Sequence, residues 1–344
     1  MNFKQALSHF LPQITAEMRR QMAPPDGKLD PFYGMLHYHL GWVNETLEPV
    51  ETPAGKQLRP IFTLLACRAA GGEPEKALPA AAAVELVHNF SLIHDDIEDD
   101  SNTRRGRATV WAIWGEAQAI NAGDALFVLA RNALLELRSQ NVPLTTILEA
   151  VKHLDQTTLT LCRGQYLDMS FEQTLSVDLD AYLEMIESKT AALLACSSYL
   201  GGLIATDDPA QAEVFRQLGL ASGLAFQIQD DLLGIWGDES VTGKPAGDDL
   251  RNRKKTLPVV FALNHTGHPQ SARFREIYSQ DALTESDVSE AIAILEAIGA
   301  KAYAEEKATF YVEQAQSALQ AIDASPERKL ALQEMVQFFI ERVY

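Results

Sequence analysis

Apolar residues recur at helical spacing along almost the whole of this 344-residue chain, and that periodicity restricts the fold more than any other feature. The pattern of a helix burying one face runs through residues 117–137, 144–162, 179–204, 210–233 and 300–322. Alternating β-branched runs bounded by tight-turn dipeptides, the mark of half-buried strands, are missing from the sequence. Glycine and proline gather at 23–27, 71–74, 234–247 and 267–269, which read as connections between helices. No internal repeat, low-complexity tail or linker divides the chain. The expectation is therefore an all-α fold, a single domain over residues 1–344 built as an antiparallel helical bundle. Residues 287–344 are expected to form two or three closing helices without a chemical motif of their own.

Charge narrows the function. Forty-seven acidic residues against 29 basic ones give a formal net charge of -18, which repels nucleic acid. An anionic substrate must then meet a local basic patch or metal ions. The longest apolar stretch, residues 78–93, is interrupted by Glu85, His88 and Asn89, well short of the ~18–20 apolar residues of a membrane span. The N-terminal residues are amphipathic and contain no apolar signal core, so the expected location is cytoplasmic. Cys67, Cys162 and Cys196 form no CxxC pair and are expected to be reduced packing residues.

The chemistry-bearing segments pair acids with bases. Five of the six residues from Asp95 to Asp100 are carboxylates. An acidic run is ordinarily a solvated face, but here the largely apolar segment 80–93 leads into it. At 100° per residue Asp95, Asp96 and Asp99 fall within roughly a 100° arc. Carboxylates clustered at a buried helix end repel unless a cation neutralises them, and hard oxygen donors suit Mg²⁺. Arg104-Arg105-Gly106-Arg107 follows, a guanidinium cluster suited to a metal-bridged diphosphate. A second acidic pair, Asp230-Asp231, ends the apolar segment 214–228, and residues 243–258 after it are rich in glycine, lysine and arginine. A third basic locale holds Lys56 and Arg59, whose spacing alone is that of a surface pair. His88 lies two helical turns before Asp95, roughly on the same face.

Together GKQLRP, DDIED followed by RRG, GQYLD at 164–168, Lys189-Thr190, FQIQDD and GKPAGDDLRNRKKTLP occur in one order. In that order they resemble the polyprenyl synthetase family, the trans-isoprenyl diphosphate synthases. The resemblance implies an isoprenoid-synthase bundle with a central active-site cavity. It also implies Mg²⁺-dependent head-to-tail joining of isopentenyl diphosphate to an allylic diphosphate, with three ions expected. Asp95 and Asp99 would be metal ligands with Asp96 in support, and Asp230 and Asp231 would be the metal residues of the second motif, Asp230 foremost. Arg104, Lys189 and Lys244 would grip the allylic diphosphate, with Lys254 near that end. Lys56, Arg59, His88 and Arg105 would hold isopentenyl diphosphate. Thr190 and Gln227, with Lys189, would lie beside the bond that breaks. Members of the family are usually homodimers, and the same is expected here.

Product length should follow from bulk below the metal site. Phe90 lies five residues before Asp95, about 7.5 Å deeper along a helix, with the small Ser91 next to it. By analogy this favours geranylgeranyl diphosphate, then farnesyl diphosphate. The second motif departs from the family's DDxxD, because Gly234 stands where its third carboxylate would be. Asp238 would share the face of Asp230 if the helix continued, a spacing that loosely echoes class I terpene cyclases. A cyclase would not need Lys56, Arg59 and Arg105. A non-catalytic regulatory subunit would have lost the first acidic motif, which is intact.

Overall fold

Ala80, Ala81, Ala82 and Ala83 have no exposed surface, and every residue from Pro79 to Val87 is buried. A helix apolar on all sides belongs in the middle of a core, and the small side chains let its neighbours approach closely. In the computed structural model this is α4 (Leu78–Glu98), packed on α6 (Glu116–Leu135), α3 (Leu58–Ala69) and α1 (Phe3–Gln21). A Cβ added to Gly123 of α6 would lie 2.2 Å from His94 Nε2, so glycine is what permits this contact with α4. The structure describes residues 1–50, 52, 55–172, 174, 176–238, 245–280 and 282–341.

The chain divides into two compact units. The first comprises Met1–Gln156, Cys196–Phe215 and Asp323–Leu332. Besides the helices above it holds α2 (Pro31–His39), capped by Asp30, and the short α5 (Val110–Trp114). It also contains strand, which the sequence pattern did not suggest. Thr103–Arg104 (β1) pairs antiparallel with Arg107–Ala108 (β2) around Arg105 and Gly106, whose φ values are +53° and +74°. Two left-handed residues are what a tight two-residue hairpin requires. Strands of two residues are too short for any alternating pattern.

The second unit comprises Thr157–Ala195, Arg216–Ile322 and the residues from Gln333 onward. Its sequence predicted one helix over 179–204. The structure instead has α8 (Leu179–Ile186), a π-helical turn over Glu187–Ala191, then α9 (Ala192–Thr206). A π turn adds a residue to the helix without ending it, so apolar periodicity resumes afterwards and conceals it. Helix α7 (Leu144–Glu172) extends ten residues beyond its expected end at Cys162, through Gly164. Glycine weakens a helix; here a Cβ would lie 2.3 Å from the backbone nitrogen of Lys189. Helix α10 (Pro209–Trp236) stops where Gly237 donates its N–H to Leu233 O. Then come the one-turn α11 (Asp248–Arg251), α12 (Leu257–Asn264), α13 (Ser271–Tyr278), α14 (Glu285–Ala297), α15 (Ala300–Ala321) and α16 (Pro326–Glu341). The last three are the closing helices expected over 287–344. The all-α expectation holds, and no helix among the described residues is long and apolar enough to cross a membrane.

Candidate active site

In the first unit the acidic motif occupies the last turn of α4. Asp95 is half-buried, Asp99 is exposed, and Asp96 is 2% exposed. Asp96 is turned to the hairpin, where its Oδ1 accepts from Arg104 Nε at 2.8 Å. Burial pushes the Asp96 carboxyl above its ordinary range while Arg104 pulls it down. The hairpin therefore converts a local sequence spacing into an ion pair between Asp96 and Arg104. Among the described residues no three His, Cys, Asp or Glu side chains converge as a metal cage. The donors on offer, Asp95 and Asp99, are hard carboxylates. They fit an ion that takes one or two protein oxygens and completes its shell with water and phosphate.

Two turns below, α4 carries a buried polar group of residues that faces Arg59. Arg59 Nη1 lies 3.3 Å from His88 Nε2. Burial and the nearby Arg59, Arg105 and Arg104 hold the imidazole well below its usual pKa, so His88 is neutral and accepts. The Gly55 segment meets the hairpin, since a Cβ on Gly55 would lie 2.9 Å from Arg105 Nη2. Lys56 lies exposed beside it, just ahead of α3. Four sequence-predicted residues are thus brought into one locale. A cavity of about 200 Å³ opens beside the hairpin, lined by His39, Thr52, Gly55, Asp96, Arg104 and Arg105 among others. Arg107 also lines it but is spoken for structurally, donating to Tyr38 O and Val43 O with its guanidinium 4.0 Å over the Tyr38 ring.

Glu85 was passed over in the sequence as an interruption of an apolar run. It is 2% exposed; its Oε1 accepts from Asn89 Nδ2 at 3.1 Å while Oε2 has no hydrogen-bond partner. Burial pushes its carboxyl up to about 7, against the pull of Arg59, Asn89 and Arg105. Burial, with Arg104, Arg105 and Arg107 nearby, drives His39 down to about 3, so it stays neutral. Because the native Glu85 pKa exceeds the ordinary 4.5, stability from this group is complete below 4.5 and lost as pH rises to about 7. The loss amounts to about 3 kcal/mol. Glu85→Gln keeps the Asn89 bond and is expected to flatten this part of the profile. Denaturant unfolding at about pH 5 and pH 8 measures it, and an unchanged slope would refute it.

In the second unit the π turn presents Lys189 and Thr190. Lys189 Nζ forms an ion pair with Asp168 of α7, the last residue of the GQYLD motif. Thr190 Oγ1 donates to Gln227 Oε1 at 2.9 Å, and Gln227 Nε2 donates to Asp231 Oδ1 at 3.2 Å. Asp231 is 4% exposed and also accepts from Leu257 N at 2.9 Å and from the Tyr182 hydroxyl. Burial raises its carboxyl to about 6 despite these three donors. Asp231 is thereby committed inward, whereas Asp230 beside it is only partly buried. Lys254 lies 3.2 Å from Asp249. Asp238 follows the end of α10, so the condition for its sharing a helical face with Asp230 is not met. Lys244 lies outside the described residues.

On α4 Phe90 is buried, its ring centroid 5.6 Å from that of Phe127 and 5.2 Å from that of His94. Ser91 Oγ donates to His88 O.

The all-helical fold, with acidic residues and cations near the ends of α4 and α10, is what the family resemblance implied. The comparisons agree. The sequence model of the polyprenyl synthetase family matches residues 41–295. A (2E,6E)-farnesyl diphosphate synthase of Mycobacterium tuberculosis is 39% identical over 94% of this chain and 89% of that protein. A geranylgeranyl diphosphate synthase of the same organism is 41% identical over 89% of this chain and 86% of its own length. The crystal structure of a polyprenyl synthetase from Streptomyces coelicolor superposes with a TM-score of 0.87 at 36% identity, covering 98% of both chains. That of a geranylgeranyl pyrophosphate synthetase from Pyrococcus horikoshii gives 0.86 at 33% identity, over 98% of this chain and 99% of the other. The chain belongs to the polyprenyl synthetase family.

Proposed function

We propose that the protein condenses isopentenyl diphosphate with an allylic diphosphate to give a short-chain polyprenyl diphosphate, geranylgeranyl favoured and farnesyl next. The observation that carries this reading is the Asp95–Asp99 helix end answered by Arg104 and Arg105 on a hairpin built for the purpose. It is supported by relatives that are farnesyl and geranylgeranyl diphosphate synthases.

Asp95 and Asp99 would hold Mg²⁺ in the first motif and Asp230 in the second, three ions in all. Bound Mg²⁺ would supply positive charge to a departing diphosphate. The protein's own cations do the rest. In the second unit Lys189 and Lys254, with Lys244, would hold the allylic diphosphate and stabilise its growing charge, and the family resemblance gives Arg104 of the first unit the same role. Lys189 is oriented by Asp168, and Thr190 by Gln227. Arg59, with neutral His88 as its acceptor, joins Lys56 and Arg105 in binding the second diphosphate. Buried apolar residues of α4 such as Phe90, Val87 and Leu86 keep water from the carbocation.

The test is incubation with Mg²⁺, labelled isopentenyl diphosphate and, separately, dimethylallyl, geranyl and farnesyl diphosphates. Linear products that require isopentenyl diphosphate are expected. Consumption of the allylic substrate alone, giving a hydrocarbon or alcohol, would sink the reading in favour of a cyclase. Phe90→Ala removes the ring that would cap the chain and is expected to lengthen the main product by one or more five-carbon units. Product sizing checks this, and an unaltered length would assign Phe90 to packing alone.

The reading includes a homodimer. Ile120, Val128 and Leu135 of α6 and Leu144 and Leu148 of α7 are each 46–65% exposed. Exposed apolar side chains at helical spacing on adjacent elements suit an interface. Sedimentation equilibrium should give twice the 37.9 kDa chain mass.

A further inference from the structure

Glu85 is 2% exposed in the middle of α4, and the chemistry proposed above gives it no task. A charged carboxylate is costly to enclose unless its oxygens are met, so one among buried alanine, valine and leucine needs a cause. Its oxygens are not both met. Oε1 accepts from Asn89 Nδ2 at 3.1 Å, whereas Oε2 is buried without a partner among the described residues. Asn89 Oδ1, Arg59 Nε and His39 Nε2 are buried and unmet as well. An acceptor such as Asn89 Oδ1 favours a carboxyl with a hydrogen to donate, while Arg59 favours the carboxylate. The surroundings are divided between two protonation states.

Among the described residues, the cations that act on Glu85 are Arg59 at the start of α3 and Arg105 on the hairpin. The imidazoles of His88 on α4 and His39 at the end of α2 are both neutral. Charges on α1 and α6 are engaged elsewhere, Arg20 with Glu17, Arg131 with Asp155 and Asp124 with His94. Arg68 stands at the far end of α3 from Arg59. Against the pull of the two arginines burial prevails, and the free carboxyl is held at about 7. A diphosphate seated on Arg59 and Arg105 would cancel their pull and add negative charge of its own, which favours the protonated form further.

We propose that Glu85 takes up a proton from solvent when isopentenyl diphosphate binds, releasing Arg59 and Arg105 from an internal carboxylate to the incoming anion. This rests on the reading that those arginines hold the second diphosphate. Glu85 is then a positioning residue that acts through Arg59 and touches no substrate. Its carboxyl titrates at about 7 in the free protein and higher in the complex. Binding is therefore tightest below 7 and weakens about tenfold per pH unit above it. The diphosphate acts oppositely, since its last ionisation, at about pH 6, strengthens binding as pH rises toward 7.

Calorimetric titration in buffers of differing ionisation enthalpy counts the protons. Isopentenyl diphosphate is titrated into protein preloaded with Mg²⁺ and an inert allylic diphosphate analogue. At pH 8 the parent should take up about one proton per site and Glu85→Gln about none. Between pH 7 and 8.5 the Kd of the parent should rise about tenfold or more, while that of Glu85→Gln changes less than about threefold. In steady-state assays the KM for isopentenyl diphosphate should carry this dependence, with kcat nearly level. A purely structural role for Glu85 would leave the proton count unmoved. Uptake that persists in Glu85→Gln would assign the proton to His88 or His39 and overturn the proposal. Binding to the parent without uptake would overturn it too, and needs no variant to fold. A parent that does not bind isopentenyl diphosphate at all would instead refute the prenyltransferase reading itself.

Discussion

Asp95→Asn is expected to lower kcat/KM on the order of 1000-fold, about 4 kcal/mol of transition-state stabilisation. Asparagine preserves the size of the side chain on the last turn of α4 and removes only its charge. Asp95 is half-buried at the end of a helix whose preceding residues are almost all enclosed. A cation held there, as proposed, would sit in a partly desolvated place where charge counts for more than in water. The melting temperature, measured alongside, controls for folding. Asp96→Asn is the contrast. It cuts the 2.8 Å pair with Arg104, whose side chain is 30% exposed and partly screened, so the effect should be smaller and act through the hairpin. Steady-state kinetics at saturating Mg²⁺, paired with thermal melts, separates the two. Equal losses for both would show that the motif acts as an undivided acidic patch.

Asp231→Ala should be the largest stability loss of the substitutions considered. Three donors, Tyr182 Oη, Leu257 N and Gln227 Nε2, converge on this carboxylate, and Tyr182 and Leu257 have essentially no exposed surface. Leaving donors unsatisfied in the interior costs about 1–3 kcal/mol each, so a net loss of about 3 kcal/mol or more is expected. That corresponds to a fall in melting temperature on the order of 5–10 °C. Activity should also drop, because Gln227 loses the anchor that orients it toward Thr190. Asp231→Asn should be milder. Its carbonyl can still accept from Leu257 and Tyr182, and the Gln227 amide can flip, with Thr190 then accepting. Differential scanning calorimetry of the two variants decides the matter. An alanine variant as stable as the parent would deny Asp231 this structural role.

Much of this was legible in the sequence because it depends on short spacings. Four alanines before an acidic run already identify a buried helix ending in carboxylates, and 100° per residue places Asp95 and Asp99 together. Arg104 and Arg105 lie close enough along the chain to be read with them. Apolar repeats marked the helices of both units, since the period of a buried face survives in linear order. Most of what was missed has one physical reason: the partners lie far apart in the chain. Asp231 looked like a second metal-motif aspartate until Tyr182 and Leu257, 49 and 26 residues away, proved to bind it. Glu85 looked like noise in an apolar run until Arg59 and Arg105 were seen around it. The π turn under Lys189 was invisible because a one-residue insertion leaves helical periodicity intact on either side. Gly234 showed only that a carboxylate was absent. That the Asp249 carboxylate fills the space beside Gly234 is a contact across fifteen residues and a change of direction, which only the tertiary structure decides.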